Sequence, residues 1–415
     1  MPLSPPTYKR LLRNALLLLT GVLLGACKLD KLYNQTLVSE DSFSTTIKFK
    51  RLSSGHIVIP VIIDGSEYSF LLDTGTPNIV SKELAERLKL KHIFHKNYVD
   101  SQHNKLELSL AEISEIQIGG ISFQHTATTI HDFQKSPPTI RCLNISGVIG
   151  ANLMNKAIWK FDFQQNTITI SSEKGYEKSE NLSIIPFQTG YSGTPKINIG
   201  INGLNDGKAF VDFGARGFYK SSKKTFAKLC KMPYRDKCRT TSGYGSLASG
   251  AFGYEQPDSS YLALVHSFSA GSGKVVTLPH QLISLTNNPD KLLGLDFFEN
   301  FETTINWKDK ELALMQPTKS KEIDRYDSFG FRVIYKEDHL YIGFLYNNSP
   351  ATKAGLQLGD HITQIDGIDF EQPSEDQFCE LLSSNLLSKD NVKLTIERDG
   401  ESSDIQLQKA DLFTP

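Results

Sequence analysis

An internal repeat constrains the fold of this chain more than any other feature. Segment 68–88, YSFLLDTGTPNIVSKELAERL, resembles segment 208–229, KAFVDFGARGFYKSSKKTFAKL. Each contains an apolar run, an Asp-x-Gly triplet, two further apolar residues and an amphipathic stretch that predicts a helix. A second matching pair follows in the same order, at 147–170 and 291–314, where two apolar residues and a Gly precede a short apolar helix and two strands. Because both signals repeat in order, we expect two structurally related halves.

Each half carries one carboxylate at a sharp turn. The apolar residues before Asp73 and before Asp212 predict a buried strand that ends in the triplet, whose glycine allows a tight turn. Gly150 follows Asp73 by 77 residues (150 minus 73), and Gly294 follows Asp212 by 82 residues (294 minus 212). A glycine at each of these places lets a second strand pack closely against the turn. Two such halves, related by a pseudo-twofold axis, would put the two carboxylates side by side.

These halves resemble the lobes of retropepsin-like and pepsin-like aspartic proteases, over residues 48–172 and 185–317. The resemblance implies a site built from Asp73, Thr74, Gly75, Asp212 and Gly214, with Gly150 and Gly294 as support for the two loops. In such a site two neighbouring carboxyl groups share one proton, so that one activates water and the other protonates the peptide carbonyl. This mechanism requires no metal and no cofactor.

The second lobe departs from the family pattern at Phe213, where the family has Thr or Ser. In the family that hydroxyl belongs to a hydrogen-bonded lattice that joins the lobes and holds the carboxylates coplanar. Two alternatives to a working two-lobe enzyme therefore stay open. The chain could act only as a homodimer of first lobes, or it could be a catalytically inactive protein that binds peptides.

Flaps that close over the substrate are the family's other device. Residues 242–246, SGYGS, predict a mobile Gly-rich hairpin tip in the second lobe, with Tyr244 as the aromatic side chain that covers the site. An ordinary loop is the alternative. The corresponding region of the first lobe, residues 101–105, is polar and lacks glycine.

A different pattern begins after residue 326. The run at 349–360, SPATKAGLQLGD, resembles the PDZ-domain signature, and we expect this domain to cover residues 326–412. The resemblance implies that Phe329, Gly330 and Phe331 form the loop that captures a peptide's terminal carboxylate, while the peptide adds a strand to the sheet edge. The alternative is a PDZ domain that packs against the protease lobes and binds no peptide.

The N-terminus is typical of an export signal. Basic residues precede an apolar stretch at 15–24, and LGAC at 24–27 resembles the bacterial lipobox, in which Cys27 is lipidated. We therefore expect a signal peptide at 1–27, a tether at 28–47 and a lipid anchor in a membrane of the bacterial cell envelope. Lys28 follows the cysteine, and the absence of Asp at this position favours the outer membrane.

Four further cysteines follow Cys27. Cys230 and Cys238 are close enough in sequence for a small-loop disulfide in an oxidising compartment. Cys142 and Cys379 lie far apart in the sequence, and we expect them to be buried thiols.

Composition excludes several other functions. The formal net charge is −1 and no long basic cluster occurs, so we expect no nucleic-acid partner. There is no His-Glu-x-x-His motif, so a zinc protease is not indicated. We expect a mostly β protein, with a bilobal pair of acid-protease-like β-barrels followed by a β-rich α+β PDZ domain. The expected function is that of a membrane-anchored aspartic endopeptidase that acts on peptides or proteins, with a second peptide ligand in the PDZ groove.

Overall fold

The computed structural model of the chain describes residues 29–414 except 177–178, 191, 232–233, 235–236, 273–275, 317–321 and 385. The expected signal peptide and Cys27 lie outside the described residues. In the part of the chain that is described, no helix is long and apolar enough to cross a membrane. The fold is mostly β, with barrel-like sheets and a C-terminal PDZ domain, as predicted.

Among the described residues the first lobe contains twelve strands, three short α-helices, a 3-10 helix at Phe133–Lys135 and the helical residues 29–34. The strands are β1 Leu37–Val38, β2 Ser44–Lys48, β3 Lys50–Arg51, β4 Ile57–Ile63, β5 Ser66–Asp73, β6 Ile79–Ser81, β7 Phe94–Val99, β8 Lys105–Ile118, β9 Ile121–His131, β10 Gly147–Gly150, β11 Ile158–Asp162 and β12 Thr167–Ser171. The helices are α1 Lys82–Arg87, α2 Pro138–Arg141 and α3 Ala151–Met154. Ser81 caps α1 by accepting a hydrogen bond from the backbone N–H of Leu84.

Residues 29–47, predicted to be a tether, are instead part of this lobe. Residues 29–34 are helical, and the side chains of Leu29 and Tyr33 are buried against Leu110. β1 then pairs with β9, and β2 pairs with β12. Burying these apolar side chains removes them from water, which is favourable, so this segment folds onto the lobe.

The second lobe repeats this plan. Its strands are β13 Leu182–Pro186, β14 Gln188–Thr189, β15 Pro195–Ile201, β16 Leu204–Asp212, β17 Tyr219–Ser222, β18 Cys238–Gly245, β19 Asp258–Ala270, β20 Val276–Thr286, β21 Leu292–Gly294, β22 Glu302–Asn306 and β23 Glu311–Met315. Its helices are α4 Lys223–Leu229 and α5 Leu295–Phe298.

A sheet with strands from both halves joins the lobes. Within the described residues it has six strands in the order β13-β23-β22-β11-β12-β2, so three come from each half. At its centre β11 pairs antiparallel with β22, with Phe161 opposite Thr303. One hydrophobic core extends through both lobes and includes Phe161, Phe213 and Phe298. The two lobes are therefore packed as one body.

The C-terminal domain contains the remaining elements. They are β24 Asp327–Ser328, β25 Phe331–Lys336, β26 His339–Tyr346, α6 Pro350–Lys353, β27 His361–Ile365, β28 Ile368–Asp369, α7 Glu375–Ser383, β29 Asn391–Arg398, β30 Glu401–Gln408 and β31 Ala410–Asp411. Its sheet continues that of the second lobe, because β18 pairs antiparallel with β26.

The disulfide prediction was wrong. Cys230 and Cys238 are free thiols, whereas Cys142 and Cys379 form a disulfide across 237 residues of sequence. Cys142 caps the C-terminus of α2 in the first lobe, and Cys379 lies in α7 of the PDZ domain. Docking of the PDZ domain on the first lobe brings these sulfurs together, and sequence spacing carries no information about that contact. The disulfide therefore ties α7 of the PDZ domain to the first lobe.

Candidate active site

Each aspartate is the last residue of a strand. That strand pairs with the strand that ends in the supporting glycine of the same lobe, Gly150 or Gly294. β5 and β10 are parallel with Asp73 opposite Gly150, and β16 and β21 are parallel with Asp212 opposite Gly294. A Cβ atom on Gly150 would lie 2.3 Å from the backbone carbon of Pro77, and one on Gly294 would lie 2.3 Å from a carbonyl oxygen. Only glycine permits these approaches, as the repeat had indicated.

The structure brings the two carboxyl groups together between the lobes. Each carboxyl group lies against the glycine of the opposite loop, since a Cβ atom on Gly75 would lie 2.8 Å from Asp212 Oδ1 and one on Gly214 would lie 2.2 Å from Asp73 Oδ2. The backbone N–H of Gly75 donates to Asp73 Oδ1 at 2.7 Å, and that of Gly214 donates to Asp212 Oδ1 at 3.0 Å. The N–H of Ala215 also donates to Asp212 Oδ1, at 3.0 Å. The backbone of each active-site loop thus donates hydrogen bonds to the carboxyl group of its own aspartate.

Burial raises the pKa of both carboxyl groups. Burial, and then the charge of Asp212, raise the pKa of Asp73 well above its ordinary value. Burial also raises the pKa of Asp212, but the neighbouring Asp73 carboxyl group, the Lys220 ammonium and two backbone N–H groups oppose that rise. The pair therefore binds a proton more tightly than an isolated aspartate does, and that proton belongs to the pair.

Thr74 is hydrogen-bonded to the opposite active-site loop, whereas the Phe213 side chain is held by ring packing. The Thr74 hydroxyl is buried, donates to the carbonyl oxygen of Val211 at 2.7 Å and accepts from the N–H of Phe213 at 3.1 Å. The Phe213 ring has no hydroxyl to offer in return, and its centroid lies 4.7 Å from that of Phe161 and 4.9 Å from that of Phe298. Where the family uses a polar contact, this chain anchors its second loop in the aromatic core.

The flap prediction for Tyr244 was wrong. Tyr244 lies inside β18, between β19 and β26, and its side chain is exposed rather than folded over the aspartates. Gly243 and Gly245 allow the close approach of β26, since a Cβ atom at either would lie within 2.4 Å of a backbone oxygen. The glycines therefore serve strand pairing with the PDZ domain.

Two other hairpin tips meet at the cleft. The turn of the β7–β8 hairpin at 100–104 belongs to the first lobe, and residues 246–257 connect β18 and β19 in the second. Asp100 Oδ2 accepts a hydrogen bond from the N–H of Phe252 at 2.9 Å, and this bond joins the two tips. The Lys220 ammonium donates to the carbonyl oxygen of Ser101 at 3.1 Å, and the Asn288 side chain contacts the same oxygen.

Lys220 was missed by sequence reasoning. It is in β17, eight residues after Asp212, and alternates with the buried side chains of Tyr219 and Ser221. Burial lowers its pKa, while the charges of Asp212, Glu255 and other acidic residues raise it. No local sequence signal distinguishes such a lysine from a surface one, because its position depends on the contact between the lobes.

The predicted PDZ loop lies at the start of an open strand edge. Phe329 and Phe331 are buried, and Gly330 has a φ of +86°, with its Cβ position blocked by Ser349. Among the described residues β25 pairs only with β26, so its second edge is unpaired. α7 forms the opposite wall, since the ring of Phe378 stacks on that of Tyr335 at 5.0 Å.

Comparison with protein families adds to this geometry. An aspartyl protease family model matches residues 59–153, and a PDZ domain model matches residues 328–408. The chain contains an aspartyl protease domain and a C-terminal PDZ domain. Residues 185–317, the second lobe, lie outside both matches. No curated protein gives a significant match to the chain.

Proposed function

We propose that this protein is an aspartic endopeptidase whose two lobes belong to a single chain, with Asp73 and Asp212 as its catalytic pair. One observation carries the proposal: two carboxyl groups, one from each lobe, lie against the glycines of the opposite active-site loops, and burial raises the pKa of both. This is the state needed for one group to act as acid while the other acts as base.

The residues act in sequence on a peptide bond. The ionised Asp212 takes a proton from a water molecule as that water attacks the carbonyl carbon, and Asp73 gives its proton to the carbonyl oxygen. The resulting tetrahedral diol collapses when Asp73 takes back a hydroxyl proton and Asp212 delivers its proton to the leaving nitrogen. The backbone N–H groups of Gly75 and Gly214 hold the carboxyl groups in place throughout.

The architecture favours a catalytic pair within one chain over a homodimer of first lobes. The first lobe's strand β11 already pairs with β22 of the second lobe, and Thr74 bonds to the backbone of Val211 and Phe213. A second copy of the first lobe would have to displace all of these contacts.

The PDZ domain and the envelope location complete the proposal. The edge of β25 beside Phe329, Gly330 and Phe331 suits a peptide with a free C-terminal carboxylate. The Cys142–Cys379 disulfide supports an exported protein, since disulfides persist in oxidising compartments. Together with the lipobox-like sequence at Cys27, it supports a lipid-anchored protein of the outer membrane.

Peptide hydrolysis tests the catalytic assignment. We would assay the full chain on a fluorogenic peptide library between pH 4 and pH 7, alongside Asp73→Asn, Asp212→Asn and an equimolar mixture of the two variants. Asp162→Asn is the matched control, because Asp162 caps the β11–β12 turn through the backbone of Gln164.

We expect each active-site variant to lose at least about 100-fold in rate, the control to match the wild type and the mixture to remain inactive. If Asp212→Asn kept its activity in proportion to protein concentration, a homodimer of first lobes would replace this proposal. If the wild type bound peptides from the library without cleaving any, the chain would be a peptide-binding protein.

A further inference from the structure

Tyr254 connects three parts of the molecule. It lies in the connection between β18 and β19, and its hydroxyl donates a hydrogen bond at 3.1 Å to the carbonyl oxygen of Tyr335 in β25. Its own carbonyl oxygen accepts a hydrogen bond from Asn104 Nδ2 at 3.3 Å, in the hairpin turn of the first lobe. Tyr254 thus contacts both β25 of the PDZ domain and the turn at 100–104 of the first lobe.

The Tyr335 carbonyl points toward the open edge of β25. β25 and β26 are joined by a two-residue turn, Glu337 and Asp338, both at positive φ, which makes Lys336 and His339 a hydrogen-bonded pair. Because such pairs alternate along an antiparallel ladder, the backbone groups of Tyr335 face away from β26. Tyr254 therefore occupies a position that an added peptide strand would use.

The walls of the groove are fixed on either side of this contact. The Cys142–Cys379 disulfide and a bidentate ion pair between Arg141 and Glu375 hold α7 on the first lobe. The β18–β26 pairing holds the far side of the sheet on the second lobe. An open cavity of about 690 Å³, lined by residues that include Arg141 and Tyr254, leaves room where a peptide would leave the groove.

We propose that Tyr254 is a latch through which a peptide in the PDZ groove opens the protease cleft. A strand that pairs along β25 as far as Tyr335 takes the carbonyl that now accepts the Tyr254 hydroxyl. Release of Tyr254 loosens its bond to Asn104 and, two residues earlier, the bond from Phe252 to Asp100. This inference rests on the proposed peptide binding by the PDZ domain.

The register sets a minimum length for an activating peptide. An antiparallel peptide whose last residue lies opposite Phe331 places its third residue from the end opposite Val333 and its fifth opposite Tyr335. A peptide of five or more residues with a free C-terminal carboxylate therefore reaches the latch. A four-residue peptide with the same C-terminus stops short of it.

Hydrogen–deuterium exchange of the full chain tests the latch without relying on hydrolysis. The probe is the tightest binder selected from C-terminally randomised heptapeptides by fluorescence anisotropy, compared with its own last four residues. We expect the heptapeptide to speed amide exchange at residues 100–104 and 246–257 by about fivefold, the equivalent of one typical hydrogen bond, and the tetrapeptide to leave it unchanged.

Tyr254→Phe removes only the hydroxyl and should show the faster exchange without peptide and no further response to it. Tyr244→Phe is the matched control, since that exposed side chain lies in the adjoining strand, and it should behave as the wild type. The proposal is overturned if no heptapeptide binds, if a bound heptapeptide leaves both tips unchanged, or if Tyr254→Phe matches the wild type.

Hydrolysis recorded in the same samples separates the latch from the catalytic proposal. If the heptapeptide speeds amide exchange at residues 100–104 and 246–257 but the protein cleaves no peptide, the latch is retained and the peptidase is rejected. If the protein cleaves peptide at a rate that the heptapeptide does not change, and amide exchange at residues 100–104 and 246–257 stays the same, the peptidase is retained and the latch is rejected.

Discussion

Replacing Phe213 with Thr restores the residue type that aspartic protease lobes carry beside the second aspartate, yet we expect it to destabilise this protein. The Phe213 ring is fully buried and packs on Phe161 and Phe298, with centroids 4.7 Å and 4.9 Å away. Truncating a buried Phe costs about 3–5 kcal/mol. The new hydroxyl gains about 1 kcal/mol for each hydrogen bond it forms across the lobes. The packing loss is larger, so the expected net loss is about 2 kcal/mol.

Urea unfolding followed by the fluorescence of the two buried tryptophans, Trp159 and Trp307, measures this difference. Phe213→Leu is the matched control, because it keeps an apolar side chain in the cluster and adds no hydroxyl, and we expect a smaller shift in the urea midpoint. A Phe213→Thr protein as stable as the wild type, or more stable, would refute the view that the ring replaces the missing polar contact as an anchor.

Three further changes test the supporting structure by the same unfolding assay. Thr74→Val keeps the shape but leaves a buried carbonyl and a buried amide without their partner, so we expect a loss of roughly 2–4 kcal/mol, with Thr74→Ser close to the wild type; equal stability of the two variants would contradict this. Asp206→Ala removes the buried carboxylate that contacts the Lys291 ammonium and three hydroxyl groups, and it should lower the free energy of unfolding by about 3–5 kcal/mol. A loss of less than about 1 kcal/mol would show that these contacts add little to stability. Cys379→Ser should cost roughly 2–5 kcal/mol by releasing the PDZ domain from the first lobe, whereas the free thiol variant Cys238→Ser should change little; a Cys379→Ser protein as stable as the oxidised wild type would count against a stabilising role of the disulfide.

The β architecture and both domains could be predicted because their signals are local. The Asp73-Thr74-Gly75 triplet with its preceding apolar strand and the contiguous 349–360 run each occupy a few neighbouring residues. The placement of Asp212 opposite Gly294 followed from the repeat alone, outside the part of the chain that the protease family model covers. The catalytic roles of these residues stay predictions.

The errors share one physical cause, which is contact between segments that are distant in the sequence. The disulfide partner of Cys142 depends on how the PDZ domain docks, and loop closure over a long separation adds little cost. The glycines around Tyr244 predicted a mobile tip, but a neighbouring strand edge was available to pair with them. Residues 29–47 were predicted as a tether because their short apolar pattern does not show which surface covers them.

The pH dependence of kcat/KM for peptide hydrolysis tests the central claim most directly. One proton must be shared by the pair, so activity is lost at low pH when the pair binds a second proton and at higher pH when it loses its last one. Because burial and the neighbouring charge raise the pKa of Asp73, the upper limb should lie above the range of an ordinary aspartate. We expect a bell-shaped profile that disappears in Asp212→Asn. Activity that rises steadily into alkaline pH, or a profile that Asp212→Asn leaves intact, would contradict catalysis by this pair.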